Sequence, residues 1–230
     1  MPIHDGHRQR LKDRFLREGL DNFDDLYVLE LLLYYCIPRK DTNPIAHNLL
    51  ERFGSLAAVF DATAEELQNV EGIGENAATF LSLLPQVTRY YQVQRAKTGD
   101  ILTTLNQCGR YLVPRFYGRE NETVFLLCLD AKCKVLGCKL VGVGSVNSAS
   151  IPIRRVVEIA LNTNATTVVL AHNHPSGLAL PSDNDIDTTL RVAKAMAAVE
   201  ITLADHIVVA DDDFVSMAQS GYYSPSQVTL

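Results

Sequence analysis

The stretch Ala171-His172-Asn173-His174-Pro175-Ser176-Gly177, followed by Pro181-Ser182-Asp183-Asn184-Asp185, concentrates chemically capable side chains in the 230-residue chain. In extended backbone, residues i and i+2 face the same way, so His172 and His174 present both imidazoles to one point. Pro175 and Gly177 break the strand. Ser182 is placed as a helix N-cap, and Asp185 then falls three positions later, in the first turn. This spacing brings one carboxylate back towards two imidazoles. Two histidines and one carboxylate leave a tetrahedral zinc with its fourth position open, as in catalytic rather than structural sites. Such an ion lowers the pKa of a bound water to about 7 and polarises a carbonyl. The competing reading makes the histidine pair a hydrogen-bonded strand terminus and Asp185 a cap only. Hydrolysis also needs a general base, and a carboxylate on a neighbouring strand is the expected type. Glu120 and Glu122 precede the apolar run Val124–Leu129, while Asp130 at its far end suits a turn.

The elements that must position these groups follow from periodicity. Thr166–Ala171 (TTVVLA), Val124–Leu129 (VFLLCL), Val135–Val143 and His206–Ala210 are short apolar runs bounded by Gly, Asp or Asn, the pattern of buried strands. Ile153, Val156, Val157, Ala160 and Leu161 have the spacing of an amphipathic helix, as do Ile186, Leu190, Ala193 and Ala197 in a helix from Ser182 to Val199. Strands alternating with helices predict an α/β half. The His pair then sits just past the end of a buried strand, where α/β sheets place their sites.

Residues 1–97 read as helical throughout. His7–Gly19 is charged and amphipathic, and Leu26–Cys36 (LYVLELLLYYC) is a buried helix too short to span a membrane. A third helix opens at Asn43-Pro44 and closes at Gly54. Ser55 and Thr63 cap two short helices, with Glu66 completing a capping box. After Gly72-Ile73-Gly74 a helix runs from about Glu75 towards Tyr91. The polar stretch Arg95–Asp100 marks a boundary, dividing the chain into 1–97 and 98–230.

His172-x-His174, ten residues, Asp185, with Ser182 three positions before the Asp, resembles the JAMM motif of MPN-type metalloproteases in the form carried by RadC-family proteins. The resemblance continues through Asp205-His206-Ile207-Val208-Val209 and Phe214-Val215-Ser216. It extends into the first half through Phe53-Gly54-Ser55-Leu56 and Glu71-Gly72-Ile73-Gly74. It implies an N-terminal helical domain with a helix-hairpin-helix-like element and a C-terminal MPN (JAMM, cytidine-deaminase-like) α/β domain with a central mixed sheet. It further implies that His172, His174 and Asp185 bind Zn²⁺, with water as the fourth ligand. Glu122, eight residues before Asp130, matches the family's upstream glutamate and would take the water's proton and pass it to the leaving amine. Ser182 would donate to the developing oxyanion. The implied function is a zinc-dependent hydrolase acting on a peptide or isopeptide bond. Asp205 could orient a ligand or end a strand, and the structural reading is preferred.

Composition limits the rivals. Lys plus Arg is 21 and Asp plus Glu 27, a net charge of −6, and each half of the chain carries −3. Neither half is a basic platform. The Gly72-Ile73-Gly74 hairpin could hold a DNA phosphate, as in a DNA-associated repair or recombination accessory factor with a vestigial metal site, but Glu75 and Asn76 stand where Lys or Arg would supply affinity. The run from Arg8 to Arg17 is interleaved with acids and reads as a solvated helix face. A non-haem Fe(II) oxygenase shares two His and one carboxylate, on a scaffold richer in strands than this chain. Cys128, Cys133 and Cys138 invite a zinc-ribbon reading, yet two fall inside strands, and the five cysteines are expected as free thiols. Gly142-Val143-Gly144 lacks the third glycine of a dinucleotide loop. No stretch spans a membrane and the N-terminus lacks a signal-peptide core, so a cytoplasmic location is expected.

Overall fold

The computed structural model describes residues 3–95, 98–144, 151–175 and 177–225, so Lys97 and Ser176 lie outside the described residues. Two compact units divide the chain, 1–88 and 89–230. The division falls inside a helix, and the polar stretch expected at the boundary starts where that helix ends.

The first unit is helical. Helix α1 (Ile3–Glu18) is followed by α2 (Asp25–Cys36), whose first turn is capped by the Asp24 carboxylate accepting from the Tyr27 N–H. The apolar α2 buries Leu29, Leu31, Leu33 and Tyr34 together with Glu30. Helix α3 (Asn43–Phe53) starts with Pro44 in its first turn and stops at Gly54 in left-handed backbone. Ser55 caps α4 (Leu56–Asp61), and Thr63 with Glu66 forms the capping box of α5 (Ala64–Gln68). Helix α6 (Glu75–Arg95) runs four residues past the expected Tyr91. Leu29, Leu33, Leu49, Val59, Leu67 and Leu81 form the core. The turn from α5 to α6 needs Gly72: its φ is +92°, and a Cβ there would lie 2.7 Å from Ile45 Cγ1.

The second unit is a three-layer α/β structure. After α7 (Leu105–Leu112) and a 3₁₀ turn (Val113–Arg115) come β1 (Thr123–Leu129), β2 (Val135–Val143), α8 (Ile153–Asn162), β3 (Thr167–Asn173), α9 (Asp183–Ala197), β4 (Thr202–Ala210) and β5 (Asp213–Ser216). The strands form one mixed sheet in the order β2-β1-β3-β4-β5, parallel only between β3 and β4. Alternation along the strands separates two cores. Val124, Leu126, Val168, Leu170 and Val208 pack with α8 and α9. Phe125, Leu127, Val169, Ala171, Ile207 and Val209 pack with α7.

Two elements have no clear mark in the sequence pattern. Helix α7 is short, and its start is set by a Thr104/Gln107 capping box. Strand β5 is four residues long and pairs with the sheet edge at β4. Strand β4 begins at Thr202, four residues before the expected His206, because Ala204 and Asp205 interrupt its apolar run. All five cysteines are free, with Cys108 and Cys128 buried. No helix among the described residues is long and apolar enough to cross a membrane.

Candidate metal centre

The site forms where β3 ends and α9 begins. Strand β3 continues two residues past the expected Ala171, so His172 lies within the sheet and His174 directly follows it. His172 shares the parity of Val168 and Leu170 and therefore faces the layer of α9. Ser182 caps α9 and its hydroxyl oxygen accepts the Asp185 N–H at 3.2 Å. The carboxylate answers: Asp185 Oδ2 accepts from the Ser182 N–H at 2.8 Å and from the Ser182 hydroxyl at 2.6 Å. This box turns Asp185 back over the start of its helix, towards the histidines.

The three expected ligands converge. His172 Nε2 lies 2.9 Å from His174 Nε2 and 3.2 Å from Asp185 Oδ1, and His174 Nε2 lies 3.5 Å from Asp185 Oδ2. Among the described residues, His172, His174 and Asp185 are the one group of three such side chains with ligand atoms all within 4.8 Å of one another. The donor set fits a metal. His174 Nδ1 faces the Leu178 carbonyl at 2.9 Å, and a carbonyl only accepts, so the proton sits on Nδ1 and Nε2 of the neutral ring carries a lone pair. Imidazole nitrogen with carboxylate oxygen is a zinc set.

Electrostatics matches this arrangement. Burial lowers the His172 pKa to about 4, outweighing the raising effect of Asp185, so the ring is neutral near pH 7. His174 is raised, chiefly by its hydrogen bond to Asp185. Burial alone would raise Asp185; the His174 and Ser182 hydrogen bonds and the neighbouring His172 overcome it and hold the carboxyl well below its ordinary range. Asp185 is thus an anion near neutral pH.

Glu122 lies immediately before β1 and is half-buried, whereas Glu120 is exposed. Burial raises the Glu122 carboxyl, His174 opposes the shift and Asp185 adds to it, so its charge is felt at both side chains. Its backbone is held on two sides. The Gly144 N–H donates to the Glu122 carbonyl at 2.8 Å, and the Thr123 N–H donates to Asn173 Oδ1 at 2.8 Å. Asn173, between the two histidines, therefore ties the Glu122 segment to the end of β3. The sequence pattern assigns it no role, since an Asn at a strand end is ordinary turn chemistry.

On the rim, the Ser182 hydroxyl donates to Asp185 Oδ2 at 2.6 Å. One expectation there changes. Asp205 does not end a strand; it sits inside β4, fully buried, and its Oδ1 accepts the N–H groups of His206 and Ala218 at 2.8 and 2.9 Å. His206, beside Asp205 in the chain, is fully buried next to His172 and is given no role by the sequence, because a single His in an apolar strand carries no spacing signal.

The family described as "RadC-like JAB domain" matches residues 102–222. A UPF0758 protein of Fusobacterium nucleatum is 34% identical over 223 residues, covering 94% of this chain and 96% of the relative. A UPF0758 protein of Vibrio cholerae serotype O1 is 35% identical over 211 residues, covering 92% and 94%. One from Ruegeria pomeroyi is 33% identical over 216 residues, covering 94% and 96%. With a domain match over more than half of the chain and relatives of this identity along nearly its full length, the chain belongs to the RadC family and carries a RadC-like JAB domain.

Proposed function

We propose that this protein is a zinc-dependent hydrolase of the JAMM/MPN type, cleaving an amide bond in a peptide or isopeptide. The observation that carries the reading is the convergence of His172 Nε2, His174 Nε2 and an ionised Asp185 on one point, with a half-buried Glu122 close enough for its charge to act on two of them. A zinc ion held there supplies Lewis acidity and an acidified water. The chain's own residues do the rest. Glu122 accepts a proton from the attacking water and delivers it to the leaving nitrogen, so that the products are a carboxylate and an amine. Its raised pKa suits both acts, since a carboxyl nearer to neutrality returns the proton more readily. The Ser182 hydroxyl, now given to Asp185, would turn to the developing oxyanion when substrate is present.

Metal analysis of the purified protein tests the reading. One zinc per chain is expected in the wild type, and none in the double variant His172→Ala/His174→Ala. Wild-type protein without stoichiometric metal, or metal content indifferent to the double substitution, would sink it.

A further inference from the structure

Behind His172 lies a line of hydrogen bonds that ends on the other ligand-bearing element. His172 Nδ1 is 2.8 Å from His206 Nε2, His206 Nδ1 is 2.6 Å from Thr189 Oγ1, and Thr189 Oγ1 is 2.5 Å from the main-chain oxygen of Asp185. Met217 Sδ lies 3.6 Å from the same hydroxyl, a weak acceptor beside a strong one. Thr189, His206 and His172 are all buried.

The direction of this line follows from its last member. Two oxygens at 2.5 Å need a hydrogen between them, and a carbonyl has none, so the Thr189 hydroxyl donates to Asp185. That hydroxyl has no second hydrogen. The 2.6 Å contact is therefore a bond from His206 Nδ1–H to Thr189 Oγ1. A neutral imidazole carries one proton, so His206 Nε2 holds a lone pair and accepts from His172 Nδ1–H. The remaining nitrogen of His172, Nε2, is then bare, and it is the one that faces His174 and Asp185.

We infer that His206 is a positioning residue that, clamped by Thr189, fixes the tautomer and ring plane of His172 so that Nε2 is presented as a metal ligand. The inference rests on the metal-centre reading above. Ligand histidines are ordinarily held from behind by a carboxylate, a carbonyl or water. His174 follows that habit through Leu178, whereas His172 uses a second histidine. Reversing the line would put a proton on His172 Nε2, directly in the place of the ion.

Protein labelled with ¹⁵N-histidine and loaded with Zn²⁺ gives the test. Long-range proton–nitrogen correlation spectra should place the His206 proton on Nδ1 and a lone pair on its Nε2; a proton on Nε2 would overturn the proposal. By chelator competition, His206→Phe, which keeps an aromatic ring but accepts nothing, should weaken zinc binding by about 10- to 100-fold. His206→Gln should recover most of that loss, because its Oε1 can accept from His172 Nδ1–H. A Phe variant that holds zinc as tightly as wild type would also overturn it. Should the wild type take up no zinc, the hydrolase reading falls, while the tautomer of His206 in the metal-free protein still decides this one.

Discussion

Ser182 and Asp185 are joined by three hydrogen bonds: the Ser182 oxygen accepts the Asp185 N–H, and Asp185 Oδ2 accepts both the N–H and the hydroxyl of Ser182. A helix cap and a metal-facing carboxylate are thus one piece of geometry. Ser182→Ala keeps the bond from the main-chain N–H at position 182 to Asp185 but removes the cap acceptor and the 2.6 Å hydroxyl bond. We expect a loss of about 1 kcal/mol in stability by urea denaturation, accompanied by weaker zinc binding in a chelator competition. Unchanged metal affinity would mean that the cap does not orient the ligand.

Glu122→Gln keeps the shape and removes the base. The variant should retain zinc while its hydrolysis of a peptide or isopeptide substrate falls by about 10²- to 10⁴-fold. Glu120→Gln, at an exposed position, should leave both unchanged. Turnover by Glu122→Gln at the wild-type rate would place the base elsewhere.

Asp205 predicts a pH dependence of stability. Burial raises its pKa, against the N–H bonds from His206 and Ala218. A raised carboxyl binds its proton more tightly in the folded state. Its favourable contribution is therefore complete below the unfolded value of about 3.9 and is lost as pH rises through the folded value. Asp205→Asn is fixed in the neutral form and retains Oδ1 for the two N–H groups. Its stability relative to wild type should rise from about pH 4 towards neutrality. Chemical denaturation at a series of pH values checks the slope, and a flat difference would refute the raised pKa.

Gly72→Ala meets two obstacles, a φ of +92° and a Cβ 2.7 Å from Ile45 Cγ1 in the helical core. A cost of about 2 kcal/mol is expected, read as a lower denaturation midpoint. In a double-mutant cycle with Ile45→Ala, which removes both Cγ1 and Cδ1, the cost of Gly72→Ala should fall to its backbone part only. No fall would assign the whole cost to the backbone.

Much of this architecture is legible in one dimension, because the forces concerned are local. Capping at Ser55, Thr63 and Ser182 depends on residues three apart, and the buried strands announce themselves as apolar runs. The ligand set belongs to this class too: His172 and His174 share a face by strand periodicity, and Asp185 is returned by the cap of its own helix. Helix α7 and strand β5 are not legible, since each is short and owes its existence to the sheet it covers or extends.

What the chain determined by itself was the three candidate ligands, their spacing and the mixed helix and strand content. What tertiary structure alone decided was the support behind them. Between Val168 and Val169 the pairing of β3 with β4 slips by one residue: Val168 lies opposite Leu203 but Val169 opposite Asp205. Side chains alternate with period two, so one extra residue exchanges the faces of everything beyond it. That slip turns Asp205 away from α9 and brings His206 beside His172. Strand parity counted along β4 from Leu203, which packs against α8 and α9, would send His206 to the opposite layer. The place of His206 beside His172 is set by a register that exists only once the two strands have paired.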